Sequence, residues 1–166
     1  MPESRVEVSL NAPPALAFGA LREIVSAIAA QEAAWEGFAL HVDLGDARLP
    51  DVGYIAIPVI LTAKPVQPGI QQIDIAFRAA RHPESFPTFD GAIGVDSTGP
   101  SGAMLWLSGE YSVPLAAAGK LFDATVLRGV AERALQNLVD DIATACRARI
   151  DKNEAAYARY RLFDRP

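Results

Sequence analysis

The sequence predicts an α+β fold in which a curved antiparallel sheet of six or seven strands wraps around one long C-terminal helix. Apolar and polar residues alternate over several short stretches, most clearly from Ile70 to Ala80, as in strands with one buried face. From about Ala116 to Arg149 the apolar residues recur every three or four positions, which is the period of an amphipathic helix. The apolar stripe of the helix and the apolar faces of the strands must both be buried away from water. We therefore expect the helix to lie across the sheet.

A strand and a helix are predicted at the start of the chain. Arg5 to Leu10 alternates in polarity and is the first predicted strand. The next residues, Asn11 to Pro14, combine a capping residue with prolines that suit a first helical turn. One face of the helix that follows carries Leu21, Ile24, Val25 and Ile28. The period then changes again, and Phe38 to Leu44 is the second predicted strand.

Four further strands complete the predicted sheet. Val52 to Ala63 is rich in Ile and Val, and Pro58 within it indicates a bent or bulged strand near a sheet edge. Ile70 to Ala80 comes next. A weaker strand is predicted near Gly91 to Val95. The last strand, Ala103 to Val113, follows a connection rich in Gly and Pro, as expected for a hairpin.

Composition and charge narrow the class of protein. The 166 residues, of which 51% are apolar and 21% charged, predict one globular domain over residues 1–166, with residues 151–166 as a C-terminal tail. A net charge of −5 and scattered Lys and Arg residues argue against nucleic acid as a partner. No stretch reads as a membrane span or an export signal, so we expect a cytoplasmic protein. The lone Cys146, in a helical pattern, is expected to be a small buried group, which fits a reducing compartment.

The C-terminal third carries a resemblance to known proteins. The last strand ends in Tyr111-Ser112-Val113-Pro114, and the chain runs through Ala116-Ala117-Ala118-Gly119-Lys120-Leu121-Phe122-Asp123 into an amphipathic helix with Leu135 and Leu138. With the element order of the whole chain, this resembles the helix-grip fold of START lipid-transfer domains, birch-pollen-allergen proteins and bacterial polyketide cyclase-like proteins (the SRPBCC superfamily). The chain departs from that fold in two respects, with six predicted strands for the usual seven and one early helix for the usual two.

A second architecture also wraps a sheet around a helix that follows an early strand, namely the hot-dog fold of thioesterases. Its central helix comes early in the chain, and it has no use for a long last helix. The long pattern from Ala116 to Arg149 therefore favours the helix-grip resemblance.

The resemblance implies a cavity between the sheet and the last helix, so the inward-facing residues are the candidate ligand-binding residues. Alternation in the strands and the helical stripe assign to that face Phe38, Leu40, Val42, Ile73, Ile75, Phe77, Leu105, Leu107, Tyr111, Leu127, Val130, Ala134 and Leu138. Tyr54 is a further candidate, because its amphipathic side chain could supply a polar group to the cavity. Met104, Trp106 and Glu110 are expected on the opposite face. The alternative is that the inward-facing residues form an ordinary solid core.

The usual catalytic and metal-binding motifs are missing from the sequence. No nucleophile elbow, phosphate-binding loop or metal-ligand spacing is present, so no catalytic residue, metal or cofactor is predicted. His41 and Asp43 share one strand face and could form an acid–base pair, but they alternate with Leu40 and Val42 and are expected on the solvated face. His82 lies in a polar loop and is expected at the surface.

The leading hypothesis is a non-catalytic protein that binds a hydrophobic small molecule or lipid. The first alternative is an enzyme of the polyketide cyclase type, in which Tyr54 or Tyr111 supplies a polar group in a shaped pocket. The second alternative is a protein-interaction module, similar to co-chaperone relatives of the fold. It rests on the apolar residues of the tail, which could fold back on the domain or dock onto a second copy to give a homodimer; they are Tyr157, Tyr160, Leu162 and Phe163.

Overall fold

Six antiparallel strands and two long helices make up the part of the chain that the structure describes. The structure is a computed structural model that describes residues 3–30, 39–43, 54–112 and 124–163. In chain order the elements are β1 (Glu3–Leu10), α1 (Pro14–Ala30), β2 (Ala39–Asp43), β3 (Tyr54–Ala63), β4 (Gln72–Ala79), β5 (Thr88–Gly99), β6 (Gly102–Ser112) and α2 (Ala124–Phe163). A short 3-10 turn, Pro83–Ser85, lies between β4 and β5.

The six strands form one sheet in the order β1-β6-β5-β4-β3-β2. Every neighbouring pair is antiparallel, and four of the five neighbours in the sheet are also consecutive along the chain. The fifth pair joins β1 to β6, so the first strand of the chain closes against the last. The predicted antiparallel sheet wrapped around a long C-terminal helix is confirmed.

Alternation along β6 separates an inner face, turned toward α2, from an outer face. Leu105, Leu107 and Tyr111 are buried on the inner face, while Met104 and Glu110 are more exposed on the outer face, as predicted. Trp106 is also on the outer face. It is largely buried there because the Arg5 guanidinium lies 4.9 Å from the centre of its ring and the ring covers Gly94.

Two glycines bring β5 and β6 unusually close together. Gly91 and Gly109 are paired in the register, and a Cβ added to Gly91 would lie 2.3 Å from the backbone oxygen of Ser108. The ring of Phe89 lies over both glycines on the inner face, with its tip 2.7 Å from where a Cβ of Gly109 would be. The absence of two side chains therefore lets an aromatic ring pack directly on the sheet backbone.

Helix α2 bonds to both edge strands of the sheet. Side-chain nitrogens of Gln136 and Arg147 donate hydrogen bonds to carbonyls of β1, at Glu7 (3.2 Å) and Ser9 (2.8 Å). The Asn137 amide donates to the His41 carbonyl of β2 (3.2 Å). Edge strands present unpaired backbone groups, and α2 satisfies some of them on both sides. The curled sheet is thus closed by the helix.

The apolar core lies between the inner face of the sheet and the two helices. From α1 it contains Leu21, Val25 and Ile28, and Ile24 is partly buried against it, in agreement with the predicted stripe. An ion pair between Arg149 and Glu23 (2.5 Å) links the two helices at the surface. Neither α1 nor α2 has, in its described residues, an apolar stretch long enough to cross a membrane.

The predicted boundaries were wrong at two elements. Strand β5 is longer than the predicted 91–95, because polar residues at both of its ends still pair with β6. Helix α2 continues past the predicted end at Arg149 to Phe163, and residues 151–156 are exposed. The extension is rich in Ala, Glu, Lys and Arg, which favour helix even where no core covers them. The contacts of the predicted apolar tail residues lie outside the described side chains.

Pro58 occurs where β3 changes its partner. Residues 54–58 of β3 pair with β2, and residues 59–63 pair with β4. The Pro58 carbonyl accepts a hydrogen bond from the Ala80 amide (2.8 Å). A residue that has no N–H to donate therefore occupies the point where one ladder ends and the next begins, next to the edge strand.

Candidate functional site

The predicted ligand-binding residues whose side chains are described lie together between the sheet and α2. The structure buries Leu40, Ile73, Ile75, Phe77, Leu105, Leu107, Tyr111, Ala134 and Leu138. Val130 is half-buried against the same core. Phe38 lies outside the described residues, and the side chains of Val42, Tyr54 and Leu127 are likewise outside the described part of the structure.

Three of the rows that the strand register lays across the inner face are relevant to the site. One row is wholly apolar and consists of Ile73, Ile93, Leu107 and Val6. The next row contains the glycine pair and consists of Ile75, Gly91, Gly109 and Ser4. The third row is the aromatic one and consists of Leu61, Phe77, Phe89 and Tyr111. Within these three rows, the side chains that carry polar atoms are Ser4 and Tyr111.

Phe77 and Phe89 form a stacked aromatic pair in the third row. Their ring centres are 4.8 Å apart, and their planes differ by 11°. Phe89 was missed by the sequence reasoning because its strand was predicted to begin only at Gly91. The spacing of Phe89, Gly91, Ile93 and Val95 at every second position could have identified it.

Tyr111 is a buried ionisable residue on the inner face. Only 3% of its surface is exposed. Burial raises the pKa of its hydroxyl above the ordinary value; the positive charge of Arg128 opposes this shift, and the negative charge of Glu132 adds to it. Arg128 and Glu132 are themselves paired on the first turns of α2, at 3.0 Å. Tyr111 is therefore a protonated hydrogen-bonding group at neutral pH.

The burial of α2 changes along its length. In its middle, Leu138, Val139 and Ile142 are almost completely buried against the sheet and α1. Nearer its beginning, Val130 and Ala131 face the same core but are only half-buried. The less tightly covered part of the inner face thus lies beside the first described turns of α2.

Cys146 is a buried free thiol in the tightly packed part of the helix. Burial raises its pKa to about 12, so the reactive thiolate is essentially absent at neutral pH. The described residues hold no cluster of His, Cys, Asp and Glu side chains of the kind that binds a metal ion.

His41 contacts a carboxylate on α2 that the sequence pattern did not indicate. Its Nδ1 lies 3.2 Å from a carboxylate oxygen of Asp141 on α2. The side chain of Asp43 is outside the described part. The His41 ring is partly exposed, and it links β2 to α2 at the rim of the sheet. His82 lies in an exposed loop near Glu84, as predicted for a surface residue.

Two open depressions lie on the outer face of the sheet and share Asp90. They measure about 270 and 430 Å³. Charged side chains surround both of them, including Arg78 and Glu110 in the smaller one and Arg5 and Asp74 in the larger one. Of the predicted ligand-binding residues whose side chains are described, only Phe77 borders either depression.

No known family model matches this chain, and no curated protein matches it either. Solved structures do match it over almost its whole length. The crystal structure of Ara h 8.0201 is 12% identical, and the match covers 91% of this chain and 98% of that one with a TM-score of 0.50. Two others are a START superfamily protein from Mycobacterium smegmatis and the Zhui aromatase/cyclase from Streptomyces sp. R1128.

The START protein is 15% identical, with 90% of this chain and 97% of that chain covered and a TM-score of 0.45. The aromatase/cyclase is 14% identical, with 90% and 95% covered and a TM-score of 0.43. At these identities the similarity concerns the fold alone. The match to Ara h 8.0201 therefore shows that this chain shares the fold of that structure, a curled antiparallel sheet with a long C-terminal helix packed against it.

Proposed function

We propose that this chain binds a hydrophobic small molecule or lipid between the inner face of the sheet and the first turns of α2. The observation that carries the proposal is that apolar side chains on the first described turns of α2 are only partly buried. Val130 and Ala131 face the core but remain half-buried, whereas Val139, farther along the same helix, is fully buried. An apolar ligand seated beside the first turns of α2 would complete their burial.

The fold supports the same proposal. Proteins with the SRPBCC fold typically bind hydrophobic ligands. Here the inner face combines apolar rows with a stacked aromatic pair and a few polar atoms at one end, which is the usual composition of a small-molecule site. The buried apolar residues from Leu40 on β2 to Leu138 on α2 belong to the same core.

Binding is better supported than catalysis. A cyclase-type enzyme needs an inward-facing group that exchanges protons near neutral pH. Tyr111 faces inward, but its raised pKa keeps it protonated, so it donates a hydrogen bond and is a poor general base.

The first test is native mass spectrometry of freshly purified protein, followed by organic extraction of anything bound. We expect a reproducible added mass that belongs to an apolar compound. A second arm compares Val130→Phe, which fills the space beside α2, with Ala155→Phe at an exposed position of the same helix. The first variant should lose the added mass while staying folded, and the second should keep it. A clean unliganded mass, with no binding of fatty acids, quinones or polycyclic aromatic compounds, would overturn the proposal.

A further inference from the structure

The smaller depression on the outer face of the sheet is lined by two neighbouring rows of side chains. Both rows cross the four strands from β3 to β6, on the face opposite to the Phe77 and Phe89 rings. The first row is Thr62, Ala76, Asp90 and Glu110, and the second is Ile60, Arg78, Thr88 and Ser112. The depression is therefore a regular array of eight side chains in a well-paired part of the sheet.

Three charged side chains of this array have no ion-pair or hydrogen-bond partner within the described part of the chain. They are Asp90, Glu110 and Arg78, and all three are exposed. Other cations of the outer face are engaged, Arg5 by Glu7 and Asp96, and Lys64 by Asp74. The array thus presents unpaired charges of both signs around one depression.

The negative charges lie together at one end of the array. Asp90 and Glu110 are directly opposite each other on neighbouring strands, so the bases of their side chains are about 4.5–5.5 Å apart. Glu3 lies directly opposite Glu110 on the other side and adds a third carboxylate to the row. Like charges in opposite positions destabilise a sheet, and a cation placed between them relieves the repulsion. This end therefore favours a positively charged group.

The positive charge lies diagonally across from the carboxylates. Arg78 is two residues along β4 from the partner of Asp90, which places the bases of the two side chains about 7–8 Å apart. The other two corners of this square are Ala76 and Thr88, whose side chains are short. No long side chain of the outer face therefore stands between the two charges. A guanidinium in this position can bind a carboxylate through two parallel hydrogen bonds.

The size of the depression limits the ligand to a small molecule. Its volume of about 270 Å³ lies just below the usual range of ligand pockets, which is about 300–1,000 Å³. Ile60 and Ala76 add apolar surface to the array. A fitting ligand is therefore small, carries a positive and a negative group close together, and has a short apolar side chain.

We propose that this depression binds a free amino acid with an apolar side chain, its ammonium group between Asp90 and Glu110 and its carboxylate on Arg78. The site lies on the opposite face of the sheet from the proposed apolar ligand and does not depend on it. A simple amine would leave Arg78 unpaired and be repelled by it, and a simple carboxylate would meet the same repulsion from the acidic row.

Three probes of similar shape test this site, namely L-leucine, 4-methylpentanoate, which lacks the ammonium group, and 3-methylbutylamine, which lacks the carboxylate. Titration followed by backbone amide NMR shifts gives both the dissociation constant and the location of each probe. Leucine should bind in the millimolar range, because the charged groups are exposed, and about two- to fivefold more tightly than either analogue. Its largest shifts should fall on the described residues around Asp90, Arg78 and Glu110.

Two substitutions should separate the two ends of the ligand. Arg78→Gln should weaken leucine about two- to fivefold without weakening 3-methylbutylamine. Asp90→Asn should weaken leucine and 3-methylbutylamine without weakening 4-methylpentanoate. A general loss of structure cannot produce this crossed pattern. The matched controls Arg22→Gln and Asp151→Asn change exposed charges on the helices and should leave the binding of all three probes unchanged.

Leucine binding no tighter than that of either analogue would overturn the two-ended site. So would leucine shifts that are absent from the array or that fall mainly on inner-face residues such as Leu107.

Discussion

Gly91 and Gly109 occupy the closest approach between β5 and β6, and each is a position where any side chain would meet backbone atoms. A Cβ on Gly91 would lie 2.3 Å from the Ser108 oxygen and 2.6 Å from the Gly109 Cα. Backbone atoms in the middle of a sheet cannot move aside as a flexible side chain does. The two strands would have to separate, and the Phe89 ring would lose its packing contact with the backbone of the two glycines.

We therefore predict that Gly91→Ala lowers the free energy of unfolding by about 3 kcal/mol, at the upper end of typical overpacking losses. Urea unfolding monitored by circular dichroism measures the change. The matched control is Gly129→Ala on α2, where an added Cβ has no atom within 4 Å. There the better helix propensity of Ala should raise stability by about 0.5–1 kcal/mol. Equal effects of the two substitutions would contradict the close approach of the strands.

At the scale of elements, α2 matters because it completes the hydrogen bonding of strands that have no neighbour on one side. Asn137 and Asp141 both join the helix to β2, and the Asn137 amide donates to the His41 carbonyl in a partly buried position. The opposite edge is held by Gln136 and Arg147. One helix thus fixes the separation of two strands at opposite edges of the sheet.

We predict that Asn137→Ala costs about 1 kcal/mol of stability, the usual value of one lost hydrogen bond. It should also speed amide hydrogen exchange in β2 more than in β5, which is paired on both sides. The control is Thr144→Ala, whose hydroxyl bonds only to the Asp140 carbonyl of its own helix turn at the exposed surface. That change should stay within about 0.5 kcal/mol. Unchanged exchange in β2 would show that the Asn137 hydrogen bond does not hold this edge of the sheet.

Local patterns in the sequence were enough to predict most of the elements. The clean alternation of Ile73, Ile75 and Phe77 identified β4 and its inner face, and the structure confirms both. In β5, the two glycines and the polar residues hide the alternation, so the strand was predicted too short. Its full length depends on pairing with β6, which is a property of two segments and cannot be read from either one alone.

The candidate site was predictable only as far as each side chain's face could be deduced. Alternation placed Tyr111 correctly on the buried face. Ser4 gave no signal, because its burial depends on the pairing of β1 with β6 across about a hundred residues. The His41–Asp141 contact was missed for the same reason, since it joins a strand to a helix far along the chain. Long-range register is the information that local periodicity lacks.

At the scale of the whole molecule, the sheet and α2 share one core and should unfold together. The first strand, β1, pairs with the last strand, β6. Helix α2 forms hydrogen bonds with both edge strands, β1 and β2. Loss of the helix would expose the apolar inner face, and loss of the sheet would expose the apolar stripe of the helix. Among the described residues, the sheet and α2 contribute to one buried cluster, so neither has a separate core there to hold it folded.

The matched pair Val139→Ala and Val130→Ala tests this shared core with one chemical change at two places on α2. Val139 is completely buried, so its truncation should lower stability by about 2–3 kcal/mol, whereas the half-buried Val130 should lose only about 1 kcal/mol. Far-UV circular dichroism reports mainly on the helices. Fluorescence of Trp106, in a Trp35→Phe background, reports on the outer face of the sheet. Because both elements depend on the same buried residues, the two signals should shift to the same new midpoint in each variant. A helix signal that moves without the Trp106 signal would mean that the sheet stays folded without α2, and the closure of the sheet by the helix would then contribute little to its stability.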